Sequence, residues 1–146
     1  MIVATIGFTK KSAEEFFTLL KEGGVRTLVD IRLNPNSQLA GFAQGRDLPY
    51  LLRGLADVEY LHLPDLAPSK ALLSRYREDG DWGAYERDFG TLLDSRSAAR
   101  ALEAVLGLEG PICLLCSEHG PEKCHRRLVA ERLAREDASV EIIHLC

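Results

Sequence analysis

The first thirty-one residues constrain the fold more than any other stretch of the chain. Ile2–Ile6 is a short apolar run ending at Gly7. It has no polar face, so it reads as a strand covered on both sides. Ser12 is a good helix N-cap, and Glu15 three residues on completes a capping box. Phe16, Phe17, Leu19 and Leu20 then supply an apolar helix face, which Gly23-Gly24 closes. Val25–Ile31 is a second apolar run. Strand, helix and strand in this compass make a βαβ unit, which commits the chain to a parallel pair and a right-handed crossover.

The same alternation continues. Residues 32–47 form a long loop rich in Asn, Gly, Gln and Pro, and loops of that length are usually functional or mobile. Leu48–Leu55 reads as a short helix and Val58–Leu63 as a third strand. Residues 70–80 and 82–95 have helical spacing, and Ser97–Leu106 is a clear helix. Ile112–Cys116 is a fourth strand, a helix with Pro121 at its first position runs to about Glu136, and Val140–His144 is the last strand. Residues 1–146 are therefore expected to form one α/β domain. Its architecture is a three-layer, open, mainly parallel sheet with helices on both faces. Ligands of such sheets bind at the carboxyl ends of the strands, which directs attention to residues 7–12, 30–46, 62–68, 116–125 and 144–146.

Composition narrows the function classes. At 146 residues the chain can bury roughly 68–70% of its unfolded surface without a staple. The net charge of −4 argues against a strongly basic nucleic-acid binder, although a local basic cleft fits within it. No apolar run reaches the roughly 18 residues of a membrane span, and the opening residues lack a basic leader. A cytoplasmic protein without a membrane partner is expected, with its four cysteines reduced. Clustered Cys and His in such a chain point to catalysis or a metal. Nothing in the chain sets an oligomeric state.

The strongest cluster is Cys116-Ser117-Glu118-His119 at a strand end, followed by Cys124-His125-Arg126-Arg127 at a helix start. A helix N-terminus presents unpaired N–H groups and partial positive charge, which favour a thiolate. Three readings stay open. Cys124 or Cys116 is a nucleophile, with His125 or His119 as base, Glu118 handling protons and Arg126 holding an anion. Alternatively Cys116, Cys124 and His125 hold Zn or Fe. Otherwise the cysteines are packing residues. Cys113 and Cys116 also spell C-x-x-C, but alternation in a strand points them to opposite faces, so Cys113 is assigned to the core. Cys146 has no role assigned. The Cys-x5-Arg anion cradle is absent, since Glu122 and Ala130 occupy the arginine positions counted from Cys116 and Cys124.

A second cluster ends the second strand. Asp30 and Arg32 flank Ile31, so they share one side and can pair or face a common ligand. Arg32 suits bidentate recognition of a carboxylate or phosphate, and Ser37 adds a donor. Arg126 or Arg127 would stand across the cleft. The bland alternative is a salt bridge that holds the loop. Tyr60 and His62 share one face of the third strand, where a packed histidine is the expectation. Gly7 would allow a ligand close approach. Arg75, Arg77, Arg87, Arg96 and Arg100 alternate with acids and are assigned to solvated helix faces.

These motifs, in this order, resemble the DUF488 family. The resemblance is carried by Thr5-Ile6-Gly7-Phe8, by Val29-Asp30-Ile31-Arg32 with Pro35 and Ser37, and by Leu115-Cys116-Ser117-Glu118 leading to Cys124-His125-Arg126-Arg127. Glu59-Tyr60-Leu61-His62 and Ile143-His144 fit as well. It implies a single α/β domain of unsettled activity, with Gly7, Asp30, Arg32, Pro35, Ser37, Cys116, Glu118, Cys124, His125 and Arg126 as its functional core. Leu66-Ala67-Pro68 departs from the Leu-Gly-Gly loop of similar proteins. The expected function is a thiol-dependent enzyme acting on a small anionic substrate, phosphate-bearing among the options, with no cofactor. The alternatives are a metal protein holding Zn or Fe, and a non-catalytic nucleotide or nucleic-acid module.

Overall fold

The structure is a computed structural model, and it describes residues 1–36, 41–116 and 124–146. Five strands form one sheet: β1 (Ile2–Gly7), β2 (Thr27–Asp30), β3 (Glu59–His62), β4 (Ile112–Cys116) and β5 (Glu141–His144). The helices are α1 (Ala13–Glu22), α2 (Leu48–Ala56), α3 (Lys70–Asp79), α4 (Trp82–Leu93), α5 (Arg96–Leu106) and α6 (His125–Glu136). Every strand pairing is parallel, and the order is β3-β2-β4-β1-β5.

That order explains the layers. From β1 through β2 to β3 the chain steps one way across the sheet, and from β3 through β4 to β5 it steps back. Crossovers of one hand send the helices of these two journeys to opposite faces. The core divides accordingly. Phe16, Phe17 and Leu20 of α1 and Leu48 and Leu52 of α2 pack on Ala4, Ile6, Leu28, Cys113 and Leu115. Leu72, Phe89, Leu102 and Val129 of α3 to α6 pack on Val3, Val29, Ile31, Ile112 and Leu114. Alternate residues of each central strand thus serve opposite layers, which is why these strands lack a polar face.

Local chemistry sets the boundaries. The capping box at Ser12 and Glu15 forms as expected. β2 starts at Thr27 rather than Val25, because the Val25 amide still donates to Leu20 of α1 and belongs to the turn that ends the helix. Gly24 takes φ +64° in that turn, a value glycine adopts at little cost. At the other end of the chain α6 begins one residue later than a helix containing Cys124 requires. Cys124 is extended and serves as the N-cap. Pro121 lies outside the described residues.

Phe16 is fully buried, with its ring 5.2 Å from Phe17 and 5.5 Å from Phe42. Phe16→Ala should therefore cost about 3–5 kcal/mol, as a large aromatic lost from a packed layer does. Urea unfolding would show it as a lower midpoint with an unchanged slope. A loss below about 1 kcal/mol would mean that this layer is not packed as described.

Candidate functional site

Neighbouring strands whose outgoing connections take opposite faces leave a crevice at their carboxyl ends. β4 makes such a switch with both of its neighbours, since α6 leaves on one face and α1 and α2 cover the other. The ends of β2, β4 and β1 frame this edge, and Gly7 stands opposite Cys116 in register.

At the end of β2 a buried ion pair forms. Arg32 donates from Nε to Asp30 Oδ1 at 2.8 Å and from Nη2 to Oδ2 at 2.7 Å, and its backbone amide also reaches Oδ1. Tyr60 donates its hydroxyl to Oδ2 at 2.6 Å. Burial, and next the bond to Asp30, push the Tyr60 hydroxyl well above its ordinary pKa, so it stays a donor. The Arg32 guanidinium also lies over the Phe8 ring, 5.4 Å from its centre. His62 Nε2 donates to the Arg32 carbonyl at 2.8 Å, which gives it the packing role expected of it.

At the end of β4 the sulfurs of Cys116 and Cys124 are joined in a disulfide, with Cα atoms 7.6 Å apart. The expectation of reduced cysteines is corrected here. The last residue of β4 and the N-cap of α6 face each other, which brings two sulfurs eight residues apart to one point. Arg126, fully buried, places Nη1 3.3 Å from Cys116 Sγ and 4.0 Å from Cys124 Sγ. His125 Nε2 lies 2.8 Å from the Ile31 carbonyl, so it must carry the proton and donate. Nδ1 is then the lone-pair nitrogen, and it stands 4.0 Å from Cys124 Sγ. Burial lowers the His125 pKa to about 4, with Arg126 adding to the effect, and the Ile31 bond opposes it in part. The two sulfurs and an imidazole nitrogen lie within 4.8 Å of one another, a donor set of the kind Zn accepts once the two cysteines are reduced to thiolates.

The family model for "Domain of unknown function DUF488" matches residues 12–133. The chain belongs to the DUF488 family. No curated protein and no solved structure matches it.

In this DUF488 chain the structure gathers Cys116, Cys124, His125 and Arg126 at one point and locks Asp30 to Arg32 beside it. His125 links the two groups through Ile31. Ser37 and Glu118 lie outside the described residues, as does His119. Arg127 does not face the cleft: it pairs with Glu131 at 3.1 Å and lies over Trp82. Cys113 is core on the opposite face from Cys116, and burial pushes its thiol well up. Sequence reasoning missed Lys11, which is 9% exposed and follows β1 at the same edge. Its position just ahead of the Ser12 cap gave no signal of burial, and only its place in the stretch after β1 marked it for the sheet edge.

The neutral His125 has a consequence for stability. An unfolded histidine takes its proton near 6.5, the buried one only near 4. Between those values the unfolded chain binds more protons, so stability falls as pH drops through that window. From pH 7 to pH 4 the native protein should lose about 3 kcal/mol more than His125→Gln, whose amide can still donate to Ile31. Parallel losses in urea titrations of the two proteins would show that His125 is not buried neutral.

Proposed function

We propose that the protein is a thiol-dependent enzyme whose Cys116 and Cys124 alternate between dithiol and disulfide while acting on a small anionic substrate that contains a sulfur–sulfur bond. The observation that carries this reading is the buried Arg126 guanidinium beside both sulfurs. A fixed cation at this range favours thiolate over thiol, and thiolate is the attacking form. Cys124 has two further aids, the N-terminus of the twelve-residue α6 and the Nδ1 lone pair of His125. The low basicity of His125 leaves the larger share of the activation to Arg126.

The steps balance as follows. The Cys124 thiolate attacks one substrate sulfur, forming a mixed disulfide and releasing the other substrate sulfur as a thiolate, which solvent protonates. The Cys116 thiolate then attacks Cys124 Sγ, forming the Cys116–Cys124 bond and expelling the second substrate thiolate. Two electrons pass from the protein dithiol to the substrate disulfide. An external dithiol returns them.

Alkylation of the reduced protein with iodoacetamide at pH 6.5, followed by peptide mass mapping, tests this. Cys146 is exposed and provides an internal reference. Cys124 should react faster than Cys146, and Arg126→Met should remove the difference. If Cys116 and Cys124 both lag behind Cys146, neither is an activated thiol and the reading fails.

A second reading has its own support. A metal-bound histidine donates its far nitrogen to a carbonyl or carboxylate, as His125 does to Ile31. Reduced Cys116 and Cys124 with His125 Nδ1 would offer Zn three ligands and leave one position open. Elemental analysis of untagged protein purified with a thiol reductant should then find about one Zn per chain. Metal-free protein would remove this reading and leave the first intact.

A further inference from the structure

The charged side chains buried among the described residues are Lys11, Asp30, Arg32 and Arg126. All four lie at the carboxyl edge of the sheet. Each of the three central strands delivers one cation there: Lys11 after β1, Arg32 after β2 and Arg126 after β4. Asp30 supplies a single negative charge, and both its oxygens are already occupied by Arg32 and Tyr60. Lys11 Nζ and Arg32 Nη1 are buried and have no hydrogen-bond partner among the described residues. The backbone ties these residues to one place, since the Lys11 amide donates to Phe8 and the Arg32 guanidinium lies over the Phe8 ring.

A buried ammonium with no partner costs several kcal/mol, and a neighbouring like charge adds to the cost. Lys11 carries both burdens: burial, and next the field of Arg126, depress its pKa, and Cys146 and Glu15 oppose them only in part. Other lysines of the chain, such as Lys21 and Lys70, are exposed and bear no such cost. A fold accepts such an arrangement where a ligand supplies the missing charge. Two N–H donors of positive charge, both on residues tied to Phe8 and one of them in the field of a third cation, match an oxyanion with several acceptor atoms and more than one negative charge.

We propose that Lys11 and the free Nη1 of Arg32 form a seat for a phosphoryl-type oxyanion, either free or as the terminal group of a larger molecule. This deepens the thiol reading, because it states what the substrate carries, and its test uses no thiol reactivity.

The probe is inorganic phosphate, titrated into the full chain at constant ionic strength maintained with chloride. Phosphate should raise the melting temperature saturably beyond the chloride control, and the phosphorus NMR line of phosphate should broaden until sulfate displaces it. Lys11→Met should lower the apparent phosphate affinity by about tenfold or more, the loss of one charge-assisted bond. In chloride alone it should melt no lower than the native protein, because a buried unpaired charge has gone. Lys11→Arg keeps the charge and should retain most of the response. Glycerol phosphate tests the source. A larger effect than phosphate means that the seat holds the end of a bigger ligand, and an equal effect means a free oxyanion; either supports the seat. The proposal is overturned if phosphate and sulfate do no more than chloride, or if Lys11→Met responds as the native protein does. Selective Cys124 alkylation without any phosphate response would sink the seat and keep the thiol reading. Phosphate binding with slow Cys124 would do the reverse.

Discussion

A carboxylate with no solvent exposure survives only if its lone pairs are taken, and Asp30 has four donors on its two oxygens. Two come from the Arg32 fork, one from the Arg32 amide and one from Tyr60. The amide contact bends the chain as β2 ends, and the fork fixes where the following loop departs. The Tyr60 bond ties edge strand β3 to β2 beyond their ladder. Removing one member of such a pair leaves a bare buried charge, a defect of about 3–5 kcal/mol. This pair is best understood as the device that lets the sheet edge hold cations at all.

From that pair the edge is built outward. Ile31 sits between Asp30 and Arg32, with its side chain in the layer of α3 to α6 and its carbonyl accepting from His125. The hydrogen bond selects the His125 tautomer, and the tautomer directs a lone pair at Cys124. A salt bridge on one face of the sheet thus orients an imidazole supplied from the other face. Arg126, next along α6, then falls beside both sulfurs because its helix starts directly above the end of β4.

Much of this was legible in the chain. Period-two and period-3.6 patterns located the strands and helices, since burial on both faces leaves strands without polar residues. Asp30 and Arg32 were legible as a same-side pair because alternation is geometric. Cys116, Cys124, His125 and Arg126 were legible as a group because strand end, loop and helix start are contiguous. The strand order was not, because the insertion of β4 between β2 and β1 depends on long-range pairing. The disulfide was not either: an intracellular reading predicts thiols, whereas the meeting of two sulfurs depends on how a cap faces a strand end. Lys11 was missed for a related reason. A single lysine before a helix cap usually points into water, whereas this one is buried at the sheet edge.

The charge distribution unites these observations. The chain as a whole is acidic, with a net charge of −4, yet the buried charges among the described residues are three cations and one carboxylate. Acidic residues on the surface are screened by solvent and salt and offset little of what lies inside. The positive edge must therefore be neutralised locally. Asp30 answers one cation, and thiolates at Cys116 and Cys124 would answer Arg126. When the sulfurs are joined they carry no charge, and that answer is withdrawn. Oxidation of the pair thus leaves the edge more positive than reduction does. An anion in the proposed seat would then be held more tightly by the disulfide form than by the dithiolate form, which would couple the charge of the ligand to the electrons on the sulfurs.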